Sequence, residues 1–140
     1  MAFLIDTNIV SEVGKGVRCD ARVAAWYAGL GEDELYLSVL VLGEIRRGAE
    51  RLRRADAARA TALEGWLEAV RVTFAERVLP VDRAVANEWG RMTAHRVVST
   101  IDGLLAATAK AHGLTLATRN VRDVADLGVK LIDPFAAQVP

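Results

Sequence analysis

Cysteine is all but missing from this chain: Cys19 is the only one in 140 residues. That excludes an internal disulfide framework and a cysteine-built zinc site. Proline is sparse as well, standing only at Pro80, Pro134 and Pro140, and no segment reads as a linker, a repeat or a low-complexity tract. No apolar run reaches the ~18 residues that a membrane-crossing helix needs. The opening residues lack the basic region and small-residue cleavage site of a secretion signal. The expectation is a cytoplasmic chain with no membrane segment. An excess charge of either sign is missing too, because 18 basic residues balance 18 acidic ones. Any attraction to nucleic acid must therefore come from local patches. Lysine is limited to Lys15, Lys110 and Lys130; the other basic residues are arginines, whose planar fork suits phosphate, although a base-composition bias in the genome produces the same ratio.

The chain is rich in apolar residues, at 52% with 26% charged, which excludes a disordered tail. Its length predicts one domain over residues 1–140, able to bury a core without a staple. Short apolar runs at 2–5, 35–38, 78–81, 114–118 and 129–132 read as buried strands. Between them, helical patterns cover 20–30, 39–54, 55–76, 83–97 and 100–112, and 120–126 holds room for one more short turn. This alternation predicts an α/β fold with a parallel sheet and helices on both faces. Ligands of such sheets bind beyond the carboxyl ends of the strands, near the point where strand order reverses.

Several polar residues stand at those ends. Asp6 directly follows the first strand, with Thr7 and Asn8 behind it; each suits a helix cap, and Thr7 and Asn8 equally suit groups that orient Asp6. Glu44 lies on an apolar helix face, where a charge needs a partner; an ion pair with Arg47 or Arg51 is the plain explanation. Asp102 follows Ser99 by three residues, a spacing shared with capping boxes. Asn120 and Asp123 follow the fourth strand and suit caps of a short helix. Singly, each has a bland reading. Together, Asp6, Glu44 and Asp102 bring three carboxylates toward one sheet edge, where their repulsion calls for a cation. An all-oxygen cluster selects Mg²⁺ or Mn²⁺, and such an ion assists phosphodiester hydrolysis.

The stretches Leu4-Ile5-Asp6-Thr7-Asn8, Leu42-Gly43-Glu44-Ile45-Arg46-Arg47-Gly48, Ile101-Asp102-Gly103-Leu104-Leu105-Ala106-Ala107-Thr108-Ala109 and Leu116-Ala117-Thr118-Arg119-Asn120 together resemble the PIN-domain ribonucleases, specifically the VapC-type toxins of toxin–antitoxin pairs. The resemblance spans nearly the whole chain, in the expected order. It implies a PIN-like three-layer sandwich, with a parallel sheet of about five strands flanked by helices. It also implies an Mg²⁺- or Mn²⁺-dependent endoribonuclease acting on structured RNA, tRNA foremost. A VapB-type antitoxin whose C-terminal segment lies across the active-site groove, and a homodimer, are implied as partners. The family's acidic quartet carries over to Asp6, Glu44 and Asp102. Its fourth position matches Asn120, which adds no charge and leaves one metal or two open, with Asp123 as a candidate replacement. Thr118 matches a hydroxyl position beside the cluster.

Arg46, Arg47 and Arg51 read either as a solvated face paired with Glu50, Asp56 and Glu64 or as a phosphate- or partner-binding rim. Trp26, Trp66 and Trp89 suit packing rather than base stacking, and neither His95 nor His112 suits a general base. No serine elbow or glycine-rich phosphate loop is present. Two other functions remain open: a phosphatase-like hydrolase on the same kind of sheet, although Asp6-Thr7-Asn8 lacks a second acid, and a catalytically weak RNA- or protein-binding module.

Overall fold

The computed structural model describes residues 1–136. Five strands, β1 (Phe3–Ile5), β2 (Leu35–Ser38), β3 (Val78–Leu79), β4 (Thr115–Ala117) and β5 (Leu131–Ile132), form one sheet in the order β3-β2-β1-β4-β5. Every pairing is parallel, and the β1–β4 register sets Ile5 opposite Ala117. Seven α-helices connect them: α1 (Thr7–Val13), α2 (Ala21–Ala28), α3 (Val39–Leu52), α4 (Ala57–Phe74), α5 (Arg83–Thr93), α6 (Thr100–Ala111) and α7 (Val121–Val124). The expected α/β fold, a parallel sheet flanked by helices, is what the chain adopts.

The central strands carry no polar residue except at their ends. All three residues of β1 and all three of β4 are buried, as a sheet covered on both faces requires. Leu4, Ile5, Ile9, Leu37, Val41, Leu105 and Leu116 form the middle of the core. The two-residue strands β3 and β5 close the edges and are only half-buried. From β1 the chain steps outward through β2 to β3, then returns past β1 to β4 and β5. Right-handed crossovers running in opposite directions place their helices on opposite faces, and the packing divides accordingly. Helix α1 packs on α2 and α3, and α3 on α4, whereas α6 packs on α5 and α7. Strand order therefore reverses between β1 and β4, and a crevice opens above their carboxyl ends.

Helices α1 to α6 each open on a capping side chain: Asp6, Asp20, Ser38, Asp56, Asp82 and Ser99 accept from backbone N–H groups of the first turn. Helix α1 is the element that sequence patterning missed. Seven residues are too few for a clear period, although the cap reading of Asp6 holds and the helix begins immediately behind it. The fourth pattern, at 83–97, stops at Thr93 as helix α5. Residues 94–99 instead form the turn and extended approach that delivers Ser99 to its capping position on α6.

Candidate active site

Asp6 ends the β1 ladder, its N–H donating to the Ala117 carbonyl of β4 at 2.9 Å. Its side chain is 6% exposed and sits in the crevice between the two strands. Three residues hold the carboxylate. The Thr118 hydroxyl donates to Oδ2 at 2.7 Å, the Thr7 N–H donates to Oδ1 at 2.7 Å, and the Asn8 amide reaches Oδ2 at 3.3 Å. Burial raises the Asp6 carboxyl above its ordinary pKa. The Thr118 and Thr7 hydrogen bonds oppose that rise, and the negative charges of Asp102 and Glu44 add to it. Asp6 is thus both the cap of α1 and a desolvated carboxylate facing two other acids; the two readings of this residue coexist.

Glu44 and Asp102 approach from opposite faces of the sheet. Glu44, on α3, accepts the Thr7 hydroxyl on Oε1 at 2.6 Å, and Arg47 lies 3.7 Å from Oε2. The ion pair that would account for Glu44 therefore exists, alongside a link into the crevice that spacing alone did not show. Asp102 stands in the first turn of α6, its N–H capped by the Ser99 hydroxyl at 3.2 Å. Its half-buried carboxylate makes no hydrogen bond or ion pair among the described residues. Next to it, Gly103 lets α6 approach α5: a Cβ there would stand 3.1 Å from the Trp89 ring.

The β4–α7 loop completes the site. Thr118 is fully buried, and its oxygen also accepts the Asn120 N–H at 3.0 Å. The Asn8 amide bridges the two loops, donating toward Thr118 at 3.5 Å and accepting the Arg119 N–H on Oδ1 at 3.2 Å. Asn120 precedes α7 without capping it by its side chain and is exposed. Asp123 is exposed on α7. No hydrogen bond or ion pair among the described residues ties it to the cluster, and it is not among the charges acting on Asp6. The α3 arginines divide. Arg46 pairs with Glu64 at 2.7 Å and Glu50 at 3.6 Å, and Arg47 pairs with Glu44. Arg51 is exposed and unpaired among the described residues. For Arg46 the solvated-face reading prevails. The tryptophans pack: Trp26 is edge-on to Phe3 at 5.1 Å, Trp66 covers Gly14, and Trp89 covers Gly103.

This donor set fits a hard divalent cation. It offers only oxygens, and the carboxylate at its centre is raised by burial and by two neighbouring negative charges, a situation that an ion relieves. Among the described residues, no three Asp, Glu, His or Cys side chains are grouped closely enough to hold a metal ion, so the expected three-carboxylate cluster is not closed. Mg²⁺ does not require such a cage, since it usually retains several waters and takes one or two carboxylates.

Comparison with known proteins agrees with this architecture. Residues 3–128 match the model of the PIN domain. The chain is 33% identical over 138 residues to the VapC ribonuclease Y4jK of Sinorhizobium fredii, covering 94% of this chain and 96% of that one. It is 32% identical to Toxin FitB of Neisseria gonorrhoeae, covering 94% and 97%. The crystal structure of FitAcB from Neisseria gonorrhoeae superposes with a TM-score of 0.86 at 32% identity, over 96% of this chain and 99% of that one. A buried aspartate at the switch point of a β3-β2-β1-β4-β5 parallel sheet, matched over nearly its full length by these relatives, makes this chain a member of the PIN-domain family, among its VapC-type toxins.

Proposed function

We propose that the chain is an endoribonuclease toxin of a toxin–antitoxin pair, hydrolysing phosphodiester bonds of structured RNA, tRNA foremost, with Mg²⁺ or Mn²⁺ as cofactor. The observation that carries this reading is Asp6: a desolvated carboxylate at the strand-order reversal, with the charges of Asp102 and Glu44 acting on it. Asp6, Asp102 and Glu44 would hold the ion. When bound, the ion supplies a water of lowered pKa and positive charge for the scissile phosphate. The chain's own residues do the rest. Thr118 and the Thr7 N–H fix the two Asp6 oxygens, and the Thr7 hydroxyl orients Glu44. Asn8 clamps the β4–α7 loop so that Asn120 stands at the mouth, where its amide is suited to a phosphate oxygen or a water. The whole chain would act as one domain in the cytoplasm. Its partners would be a VapB-type antitoxin and a second copy of itself, as its place among VapC-type toxins supports.

The test is cleavage of bulk tRNA by the purified chain in Mg²⁺ or Mn²⁺. Asp6→Asn should lower the rate at least about a hundredfold, more than the usual cost of losing a residue that only supports a ligand, while the protein still melts cooperatively. Cleavage at the parental rate by the folded variant overturns the reading. Two observations favour a second function, a catalytically weak binding module: Asn120 brings no charge to the fourth position, and among the described residues no three acids are grouped to hold a metal ion. Calorimetric titration with Mn²⁺ separates the two, because a module with a decayed site gives no binding heat.

A further inference from the structure

Of the three α3 arginines, Arg51 alone is unpaired among the described residues, and no hydrogen bond ties it to the crevice. Arg46 spends its charge on Glu64 and Glu50, and Arg47 faces Glu44. On the other side of the crevice, Arg119 is exposed and has no carboxylate partner among the described residues. It is nevertheless held at both ends. Its N–H is bound by the Asn8 amide at 3.2 Å, and the same amide reaches Asp6 at 3.3 Å. Its guanidinium lies 4.4 Å above the ring of Phe135, a residue 8% exposed. Phe135 follows β5 and Arg119 follows β4, so the stacked pair sits along the carboxyl edge of the sheet, one bridging side chain away from the central carboxylate.

We propose that Arg119 is a positioning residue for RNA, a preset guanidinium that receives a backbone phosphate flanking the scissile one. Stacking on an aromatic face leaves the edge of the fork, with its N–H donors, free for an anion. Fixing the group beforehand lowers the entropy lost on binding. A carboxylate cluster and, one bridging Asn8 side chain away, a guanidinium with no carboxylate partner among the described residues suit a chain of regularly spaced negative charges. This assignment rests on the ribonuclease reading.

The experiment measures affinity and salt dependence with a labelled mixed-sequence RNA hairpin, together with cleavage kinetics of the same hairpin. Arg119→Ala should weaken binding roughly tenfold and lower the slope of log affinity against log salt by about 0.7 to 0.9, the share of one phosphate contact. The loss should appear in KM rather than in kcat. Arg119→Lys should keep the salt slope while losing part of the affinity, because it retains the charge but not the planar stack. An unchanged salt slope in Arg119→Ala, with only a lowered melting temperature, means that the stack serves only to hold the C-terminal turn, and it overturns the assignment. So does a variant that loses affinity for an acidic protein partner alone. If the parent chain neither binds nor cuts the hairpin or tRNA, the ribonuclease reading fails, and the assignment fails with it.

Discussion

The Thr118 hydroxyl donates to the Asp6 carboxylate at 2.7 Å across 112 residues of sequence, joining the end of the fourth strand to the end of the first. The same oxygen accepts the Asn120 N–H, so one buried hydroxyl fixes both the central acid and the loop beside it.

Replacing Thr118 by valine keeps the shape and removes the hydroxyl. The Asp6 carboxylate loses its closest donor, and the Asn120 N–H loses its acceptor. Stability at neutral pH should fall by about 1–3 kcal/mol, whereas Thr118→Ser should lose much less. Chemical denaturation of the three proteins gives the comparison.

Asp6 makes stability depend on pH in a defined direction. Its folded-state pKa lies above the ordinary carboxyl value. Its contribution is therefore fully favourable below about pH 4 and declines as pH rises through the folded-state value. Asp6→Asn cannot ionise. The stability difference between variant and parent, measured by unfolding without metal, should shift toward the variant as pH rises from about 4 to neutrality. A difference that moves the opposite way would show that the hydrogen bonds to Asp6 outweigh its burial.

Divalent cations should raise the melting temperature of the parent chain. At a hundred times the dissociation constant the gain is about 2.7 kcal/mol, which corresponds to several degrees for a domain of this size. Asp102→Asn should reduce the gain and Asp6→Asn should abolish it, as scanning calorimetry with and without Mn²⁺ would reveal.

Thr7→Val removes the hydroxyl that holds Glu44 Oε1 while leaving the N–H that donates to the capping Asp6 carboxylate. RNA cleavage should fall about 10–100-fold, the usual cost of losing a ligand's supporting hydrogen bond, with Thr7→Ser near the parental rate.

Gly14 ends α1 under the Trp66 ring, and a Cβ there would stand 2.7 Å from Cζ2. Gly14→Ala should cost about 1–3 kcal/mol through overpacking. The penalty should largely vanish in the background of Trp66→Leu, as a double-mutant cycle would register.

Much of this architecture was legible from the chain alone because buried parallel strands read as short, wholly apolar runs. Residues 35–38 were bounded correctly for that reason. The edge strands were overdrawn, since Pro80 and Val81 carry the apolar character of β3 past its last ladder bond. For helix α1 the Asp6 cap is readable, but seven residues span too few turns to show a helical period. The acids were recognisable by their position after strands. The Thr7–Glu44 and Asn8–Arg119 bonds were not, because they join residues 37 and 111 apart and depend on how the helices settle against the sheet. For the α3 arginines the sequence leaves open a paired, solvated face or a rim, and the structure decides for pairing at Arg46. Glu64, across on α4, takes up Arg46 and also Arg53, at 2.7 Å each.

The bond between Thr118 and Asp6 has a consequence during synthesis. The acid at the end of the first strand takes its closest side-chain anchor from the end of the fourth. A growing polypeptide therefore cannot complete this pocket until the fourth strand has emerged from the ribosome.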